Sequence, residues 1–318
     1  MTAALSIIIP CYNRADLVGQ TVRSVLDQPA TLPFEVIAVD DGSTDDTLQT
    51  LRQIKAAHPL GDRMTVISQS NQGECPARNT GIAHATGDYL LFLDSDDLLL
   101  PWSLSALSRV IESHAPGIIT YHPLWFHSDQ DLQQQSAAIP AATLAADPPV
   151  LTHTSWYAAS AVDKLTFFGA GGTCIARKHC PQDGGFAPHR DNSGDIHFLL
   201  RVGHVGPAAA ITLLPLFAYR QHPGNISGNP HKIMRGWRYI VEQDRAGTYG
   251  PPRPERDAII AHHLRIYTRM AARQRRLADA LSLYRLGLGY NARSGRSSFN
   301  FTFPLRLPTL ALRGDRKK

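Results

Sequence analysis

The chain has 318 residues, 43% hydrophobic and 19% charged, which describes an ordinary globular protein of one large domain or two modest ones. Charge is uneven: fifteen Lys/Arg and four Asp/Glu lie from Pro251 onward, and subtraction from the totals of 32 and 27 leaves 17 basic and 23 acidic residues before it. No apolar run reaches the roughly 18 residues of a membrane span, no signal-peptide pattern opens the chain, and Cys11, Cys75, Cys174 and Cys180 form no Cys-x-x-Cys pair. The four thiols read as reduced and mostly buried, and the protein is expected to be cytoplasmic.

Residues 6–10 form an apolar β-branched run, Ile7-Ile8-Ile9, stopped by Pro10, and predict a buried strand. Residues 15–28 place Leu17, Val18, Val22, Val25 and Leu26 at helical spacing. Residues 34–39 predict a second strand, followed by Asp40-Asp41-Gly42. Ser43 and Asp46 then make a capping-box pattern for a helix with Leu48, Leu51 and Ile54. Residues 64–68 predict a strand, 76–85 a helix, 89–93 a strand, and Pro101 opens a helix to about His114. Strands alternating with helices imply a mostly parallel sheet. No Gly-x-Gly-x-x-Gly follows the first strand and no Walker A pattern occurs, so dinucleotide-binding and P-loop domains are excluded.

Further along, residues 118–121 predict a strand, 133–149 an irregular loop, 174–176 a short strand, 193–202 a helix and 211–219 extended chain. After Gly224 the pattern is helical. The last 20 residues, with Pro304, Pro308 and a terminal Arg-Lys-Lys, are expected to be loosely ordered.

The strand at 89–93 ends abruptly in Asp94-Ser95-Asp96-Asp97. A buried parallel strand delivers such side chains to the crevice at the carboxyl edge of the sheet, where ligands bind. Asp-x-Asp there is a hard-oxygen site for Mg²⁺ or Mn²⁺ and predicts a phosphate-bearing substrate. The alternative is an acidic helix start at Asp96 and Asp97. Pro10-Cys-Tyr-Asn-Arg14 and Asp40-Asp41-Gly-Ser43 follow two other strands, so three polar clusters converge on one rim.

Together, Ser6-Ile-Ile-Ile-Pro-Cys-Tyr-Asn-Arg14, Val39-Asp-Asp-Gly-Ser-Thr-Asp-Asp-Thr47, Asn71-Gln-Gly with Ala77-Arg-Asn-Thr-Gly81, and Gly87-Asp-Tyr with Leu93-Asp-Ser-Asp-Asp97 resemble glycosyltransferase family 2. The resemblance is dense over residues 5–110 and patchier to about 228. It implies an α/β GT-A fold and inverting transfer of a sugar from a nucleotide-diphosphate donor. It divides the chain into a GT-A domain at 1–228, with a nucleotide-sugar half at 1–114 and an acceptor half at 115–228, and a helical basic extension at 229–318.

The resemblance also implies residue roles. Pro10, Tyr12, Asn13, Asp40, Asp41, Arg78, Asp94 and Ser95 would face the donor, with Tyr12 against the nucleobase, Asp41 accepting from the base and Asp40 supporting that loop. Asp96 would be the direct metal ligand, with Asp94 on the ribose or metal side and Mn²⁺ or Mg²⁺ bridging the diphosphate. Arg78 is otherwise a surface helix arginine. Asp195, in Ser193-Gly-Asp-Ile-His-Phe-Leu-Leu-Arg201, matches the Asp of a Glu-Asp pair and would be the general base, or else a helix cap. Gly194 stands where the family has Glu. Tyr219-Arg-Gln-His-Pro-Gly-Asn-Ile-Ser227 resembles a further family element, in which His222 would bind metal or phosphate, or merely sit at a turn.

His122, Trp125, Trp156, Tyr157 and Phe168 offer aromatic faces for an acceptor or for the core. The expected partners are a nucleotide-diphospho-sugar, UDP-linked by default, and a glycan or lipid-linked acceptor of cell-surface polysaccharide or glycolipid synthesis. The basic extension suits an anionic inner membrane face, and no nucleic-acid partner is expected. Two other classes remain open: an inert nucleotide-sugar-binding relative, and a sugar nucleotidyltransferase.

Overall fold

A computed structural model describes residues 5–29, 32–162, 169–187, 193–222 and 230–313. The chain divides into two compact units. One comprises Met1–Ala159, Leu165–Arg190 and Gly194–Asn225, the other Ser160–Lys164, Asp191–Ser193 and Ile226–Lys318.

In the first unit, the early apolar runs become the strands β1 (Leu5–Cys11), β2 (Phe34–Asp40), β3 (Met64–Ser68) and β4 (Tyr89–Phe92). Ile7, Ile8 and Ile9 of β1 are wholly buried, as are Leu90, Leu91 and Phe92 of β4. Each such side chain contributes about 1.5–3 kcal/mol by leaving water, which is why these runs are apolar on both faces. The four strands are mutually parallel wherever they pair, with Cys11 opposite Asp40 and Ile8 opposite Phe92. That register sets the carboxyl ends of β1, β2 and β4 side by side.

The helices α1 (Ala15–Leu26), α2 (Thr47–Ala57) and α3 (Glu74–His84) connect these strands. Helix α1 buries Val18, Val22, Val25 and Leu26, the face its spacing predicts. The predicted capping box does not form. Asp46 occupies the N-cap of α2 without a side-chain bond, while Ser43 turns to Asn13 and Asp45 accepts from the Thr47 amide at 3.0 Å.

Beyond β4 come β5 (Leu98–Leu99), α4 (Ser103–His114), β6 (Ile118–Thr120) and β7 (Pro123–Phe126). Residues 133–149, expected as loop, instead hold the end of α5 (Asp129–Ala137) and the short α6 (Ala141–Ala145). Ser128 caps α5 by accepting from the Asp131 amide, and Asp129 and Asp131 suit its first turn. Helix α5 buries no residue, so it left no apolar period in the sequence.

The unit is completed by β8 (Val150–His153), the first four residues of α7 (Trp156–Val162), β9 (Thr173–Ala176), α8 (Gly194–Val202), β10 (Ala208–Ile211) and β11 (Phe217–Arg220). The large sheet runs β3-β2-β1-β4-β9-β6-β10-β8, and β5-β11-β7 form a small one. Strand β9 is antiparallel to both β4 and β6, and β8 is antiparallel to β10. The stretch expected as one extended segment at 211–219 is therefore the end of β10 and the start of β11, in different sheets.

The second unit contains α9 (Pro230–Arg245), α10 (Pro254–Arg273), α11 (Leu277–Arg293) and α12 (Ser298–Arg313). The tail expected to be loose is helical as far as Arg313, despite Pro304 and Pro308. Phe299 and Phe303 anchor it by packing with Ala271, Ala272, Ala280 and Tyr284, an apolar contact that offsets the missing proline N–H groups. The terminal Arg-Lys-Lys lies outside the described residues. No helix among the described residues is long and apolar enough to cross a membrane.

Candidate active site

The first two loops of the rim are tied together by Asn13. Its φ of +51° is left-handed, a conformation Asn tolerates. The Asn13 amide donates to Ser43 Oγ at 3.0 Å, and its Oδ1 accepts from the Thr44 amide at 2.8 Å. Tyr12, beside it, is 45% exposed and presents its ring to solvent. Gly42 has a φ of +70°, and a Cβ there would lie 2.8 Å from the Asn71 amide nitrogen. Only glycine lets the second loop lie this close to the third.

Asp41 is buried, and its carboxylate accepts from Gln69 Nε2 at 2.8 Å and from the amides of Gln72 and Gly73 at 2.9 and 2.7 Å. Asp40 Oδ2 meets Ser68 Oγ at 3.4 Å, while Asp40 Oδ1 is buried with no hydrogen-bond partner. Asp41 is thus engaged by its own loop, with both carboxylate oxygens accepting there, and Asp40 keeps an unengaged oxygen. Pro10 lies within β1, opposite Val39.

The carboxylates after β4 converge. Ligand atoms of Asp94, Asp96 and Asp97 lie within 4.8 Å of one another. The backbone carbonyl of Ser95, between them, accepts from Thr21 Oγ1 at 3.0 Å, which fixes the turn on α1. Burial raises the Asp97 carboxyl well above the usual range, and Asp94 and Asp96 add to it, with Arg220 opposing. Asp97 Oδ1 accepts from the Arg220 amide at 2.9 Å. It thereby holds β11 to the rim.

Arg78 is the hub. It stands on the buried face of α3, not on the surface, with its side chain 1% exposed. The guanidinium pairs with Glu74 at 2.5 Å, Asp94 at 2.6 Å and Asp195 at 3.1 Å. Burial opposes its charge, and the carboxylates outweigh that penalty and lift its pKa well above the usual value. The same crowding acts on Asp94. Burial, with Glu74, Asp195 and Asp96 near, outweighs Arg78 and pushes its carboxyl up to about 7.

Asp195 lies in the first turn of α8. Its Oδ1 accepts from Arg78 and its Oδ2 from the Ala170 amide at 3.1 Å. These bonds lead away from its own helix, so it is oriented by α3 and the 169–172 turn. Gly194 is buried against Cys75.

His222 Nε2 lies 3.1 Å from Asp96 Oδ2, and Arg14 Nε lies 3.3 Å from the same oxygen. Arg220 is engaged by protein groups: Nε donates to the Asp96 carbonyl at 3.0 Å and NH2 to Gln20 Oε1 at 2.7 Å, with the guanidinium over the Phe126 ring. The rest of that motif, 223–227, lies outside the described residues, as does Phe168. Trp156 and Tyr157 are buried core residues. Trp125 is 47% exposed and its ring lies 4.7 Å from that of Tyr219.

The structure thus brings Asp94, Asp96, His222, Arg78 and Asp195 into one chain of contacts. Glu74 and Arg14 belong to it and were not singled out from sequence. The signal for Glu74 was its i, i+4 spacing to Arg78, and for Arg14 its place in the first polar cluster.

The family pattern of glycosyl transferase family 2 matches residues 6–179. An uncharacterised glycosyltransferase of Nostoc sp. is 34% identical over 137 residues, 43% of this chain and 42% of that protein. Chondroitin synthase of Escherichia coli is 45% identical over 97 residues, 30% of this chain and 14% of that protein. The chain thus matches less than half the length of these relatives. Among solved structures, S. aureus TarS 1-349 in complex with UDP-GlcNAc superposes with a TM-score of 0.60 at 15% identity, covering 95% of this chain and 92% of that one. At that identity the likeness is one of fold.

Proposed function

From the premise that the chain belongs to glycosyl transferase family 2, we propose that it moves a sugar from a nucleotide-diphosphate donor to a hydroxyl of a growing cell-surface glycan or lipid-linked acceptor, with inversion. The observation that carries the reading is the Arg78 guanidinium, which links the carboxylate cluster to Asp195 through one buried fork. A single displacement needs a base beside the acceptor and positive charge beside the leaving diphosphate. Arg78 ties the groups suited to these two tasks to one rigid side chain.

In the proposed reaction Asp195 takes the proton of the acceptor hydroxyl. The freed oxygen bonds to the anomeric carbon on the face opposite the diphosphate. The nucleoside diphosphate leaves with the electron pair of the broken C–O bond. Arg78 and the Ala170 amide keep Asp195 oriented. Tyr12 offers an exposed ring to the nucleobase, and Asp40 Oδ1 is a buried acceptor without a partner, the kind of group a base N–H would satisfy. UDP is the default nucleotide.

The donor set fits a divalent cation. Three carboxylates crowd within 4.8 Å, and burial pushes Asp94 up to about 7. Asp94 and Asp96, with His222, would hold Mn²⁺ or Mg²⁺, which supplies Lewis-acid charge against the leaving diphosphate when bound.

Asp195→Asn tests the reading. Transfer should fall about 10²–10⁴-fold, while nucleotide-sugar stabilisation in a thermal shift is unchanged. Asp96→Ala should lose the metal-dependent part of that shift. A variant D195N that transfers at the parent rate sinks the base assignment. Gly194 in place of Glu favours one other reading, an inert nucleotide-sugar-binding relative. Donor binding with no transfer to any acceptor in the wild type would support that instead.

A further inference from the structure

The helical second unit contains an open surface pocket of about 460 Å³ far in sequence from the carboxylate rim, lined by Arg265, Arg269, Arg296 and His262. Ser298, Phe299 and Thr302 complete its wall. The volume is that of a small-ligand pocket. His262, Arg265 and Arg269 are spaced three and four residues apart on α10, so they share one helix face. Arg296 comes from the turn before α12, and the two hydroxyls come from the start of that helix.

Three guanidinium groups face this space, and among the described residues none is in an ion pair. Among the described residues no acid lines the pocket, and three acids of the same unit pair with other arginines: Asp244 with Arg256, Asp257 with Arg293 and Asp279 with Arg276. Arg265 meets only the neutral Asn291 Oδ1, at 2.9 Å, and Arg269 lies over the Phe299 ring. Burial lowers the Arg265 pKa, and Arg296 and Arg269 lower it further, so Arg265 lies in the field of both. Like charges gathered around a pocket repel unless an anion enters. Guanidinium forks with adjacent hydroxyls match the oxygens of a phosphate. On the same helix as the hydroxyls, Phe301 and Leu305 are 74% and 80% exposed and one turn apart. An exposed apolar pair beside an anion site suits a lipid–water boundary.

We propose that this pocket binds a phosphate or diphosphate group borne by an amphiphile, with Phe301 and Leu305 seated among its apolar tails. The site rests on the second unit alone and stands or falls independently of the transfer reading.

Two probes on the full chain test it: vesicles of neutral phospholipid with one-fifth phosphatidylglycerol, by cosedimentation, and inorganic pyrophosphate, by thermal shift. R265Q/R269Q/R296Q should weaken vesicle binding at least ten-fold. The exposed basic residues outside the pocket, changed in R253Q/R273Q/R285Q, should alter it less than three-fold. Arg296→Glu is a second variant whose exposed side chain holds no bond of the fold, and it should show the same loss. F301S/L305S should weaken vesicle binding and leave the pyrophosphate shift intact. A pyrophosphate shift that needs the three arginines, without vesicle binding, overturns the lipid source and keeps the phosphate site. Equal losses in both arginine triples, or no response to either probe, overturns the site.

Discussion

A Cβ on Gly194 would stand 2.0 Å from Cys75 Sγ, closer than any packed atoms approach. The position where relatives of this family are expected to carry Glu is thus filled in space by a thiol on α3. Cys75 is buried, and burial pushes its thiol up to about 12, so it behaves as an apolar filler. Gly194→Ala should destabilise by about 1–3 kcal/mol through overpacking, less the small gain from a better helix former. The Cys75 Cβ would remain 3.7 Å from the new methyl, an ordinary contact. The double variant G194A/C75A should therefore recover most of the loss in urea unfolding. Additive losses would mean that some other contact sets the glycine.

Arg78 is irreplaceable if one buried cation serves three carboxylates. Arg78→Ala leaves Asp94, Asp195 and Glu74 without their shared cation; these carboxylates are 30–46% exposed, so water screens part of the repulsion and the loss should fall below the roughly 3–5 kcal/mol of a fully buried pair. Arg78→Lys keeps the charge and loses the fork, so it should recover only part. Glu74→Gln should leave the fold intact, since that carboxylate is 46% exposed. Its effect should appear in turnover, because it alters the field at Asp94 and Asp195. Circular dichroism melts beside turnover measurements separate the three variants.

The two acids of the second loop should separate in the same way. Asp41→Ala removes one acceptor for three donors, two of them backbone amides, and should cost about 3 kcal/mol. Asp40→Asn disturbs one 3.4 Å contact and one unengaged oxygen, so stability should change by less than about 1 kcal/mol. Donor affinity should fall in D40N. Unfolding curves and nucleotide titrations that ranked the two acids in the opposite order would place Asp41 on the base and Asp40 in support of the loop.

Much of the rim was legible because its physics is local. Ile7-Ile8-Ile9 and Leu90-Leu91-Phe92 had to be strands buried on both faces, and acids directly after such strands had to meet at the carboxyl edge. Glu74 was half legible, since the i, i+4 spacing announces an ion pair but not that Asp94 and Asp195 share it. The Gly194–Cys75 contact joins distant segments, and no local pattern encodes it. Strand direction was likewise hidden: four residues of β9 read alike whether parallel or antiparallel to β4. Helix α5 escaped because it buries nothing, and α12 because Phe299 and Phe303 find their partners only in the folded chain.

His263 sets a pH dependence within the second unit. It lies buried on α10, its Nδ1 is 3.0 Å from the Ile259 carbonyl, and its ring stacks on Trp237 at 5.1 Å. Burial pushes its pKa down to about 4, the Ile259 bond works against that, and His262 and Arg265 add to it. The folded value is thus below the unfolded one of about 6.5. Between those values the unfolded chain binds a proton that the folded chain refuses, so stability rises with pH across the window. The contribution is complete above about pH 6.5 and declines as pH falls toward 4. Going from pH 7.5 to 5, the linkage amounts to about 2 kcal/mol. In His263→Phe the stacked ring is kept and the titration removed. This variant should be less stable than the parent at pH 7.5, where it lacks the Ile259 bond, and the gap should shrink or reverse at pH 5. Parallel urea curves for parent and variant at both pH values would show that His263 does not carry the dependence.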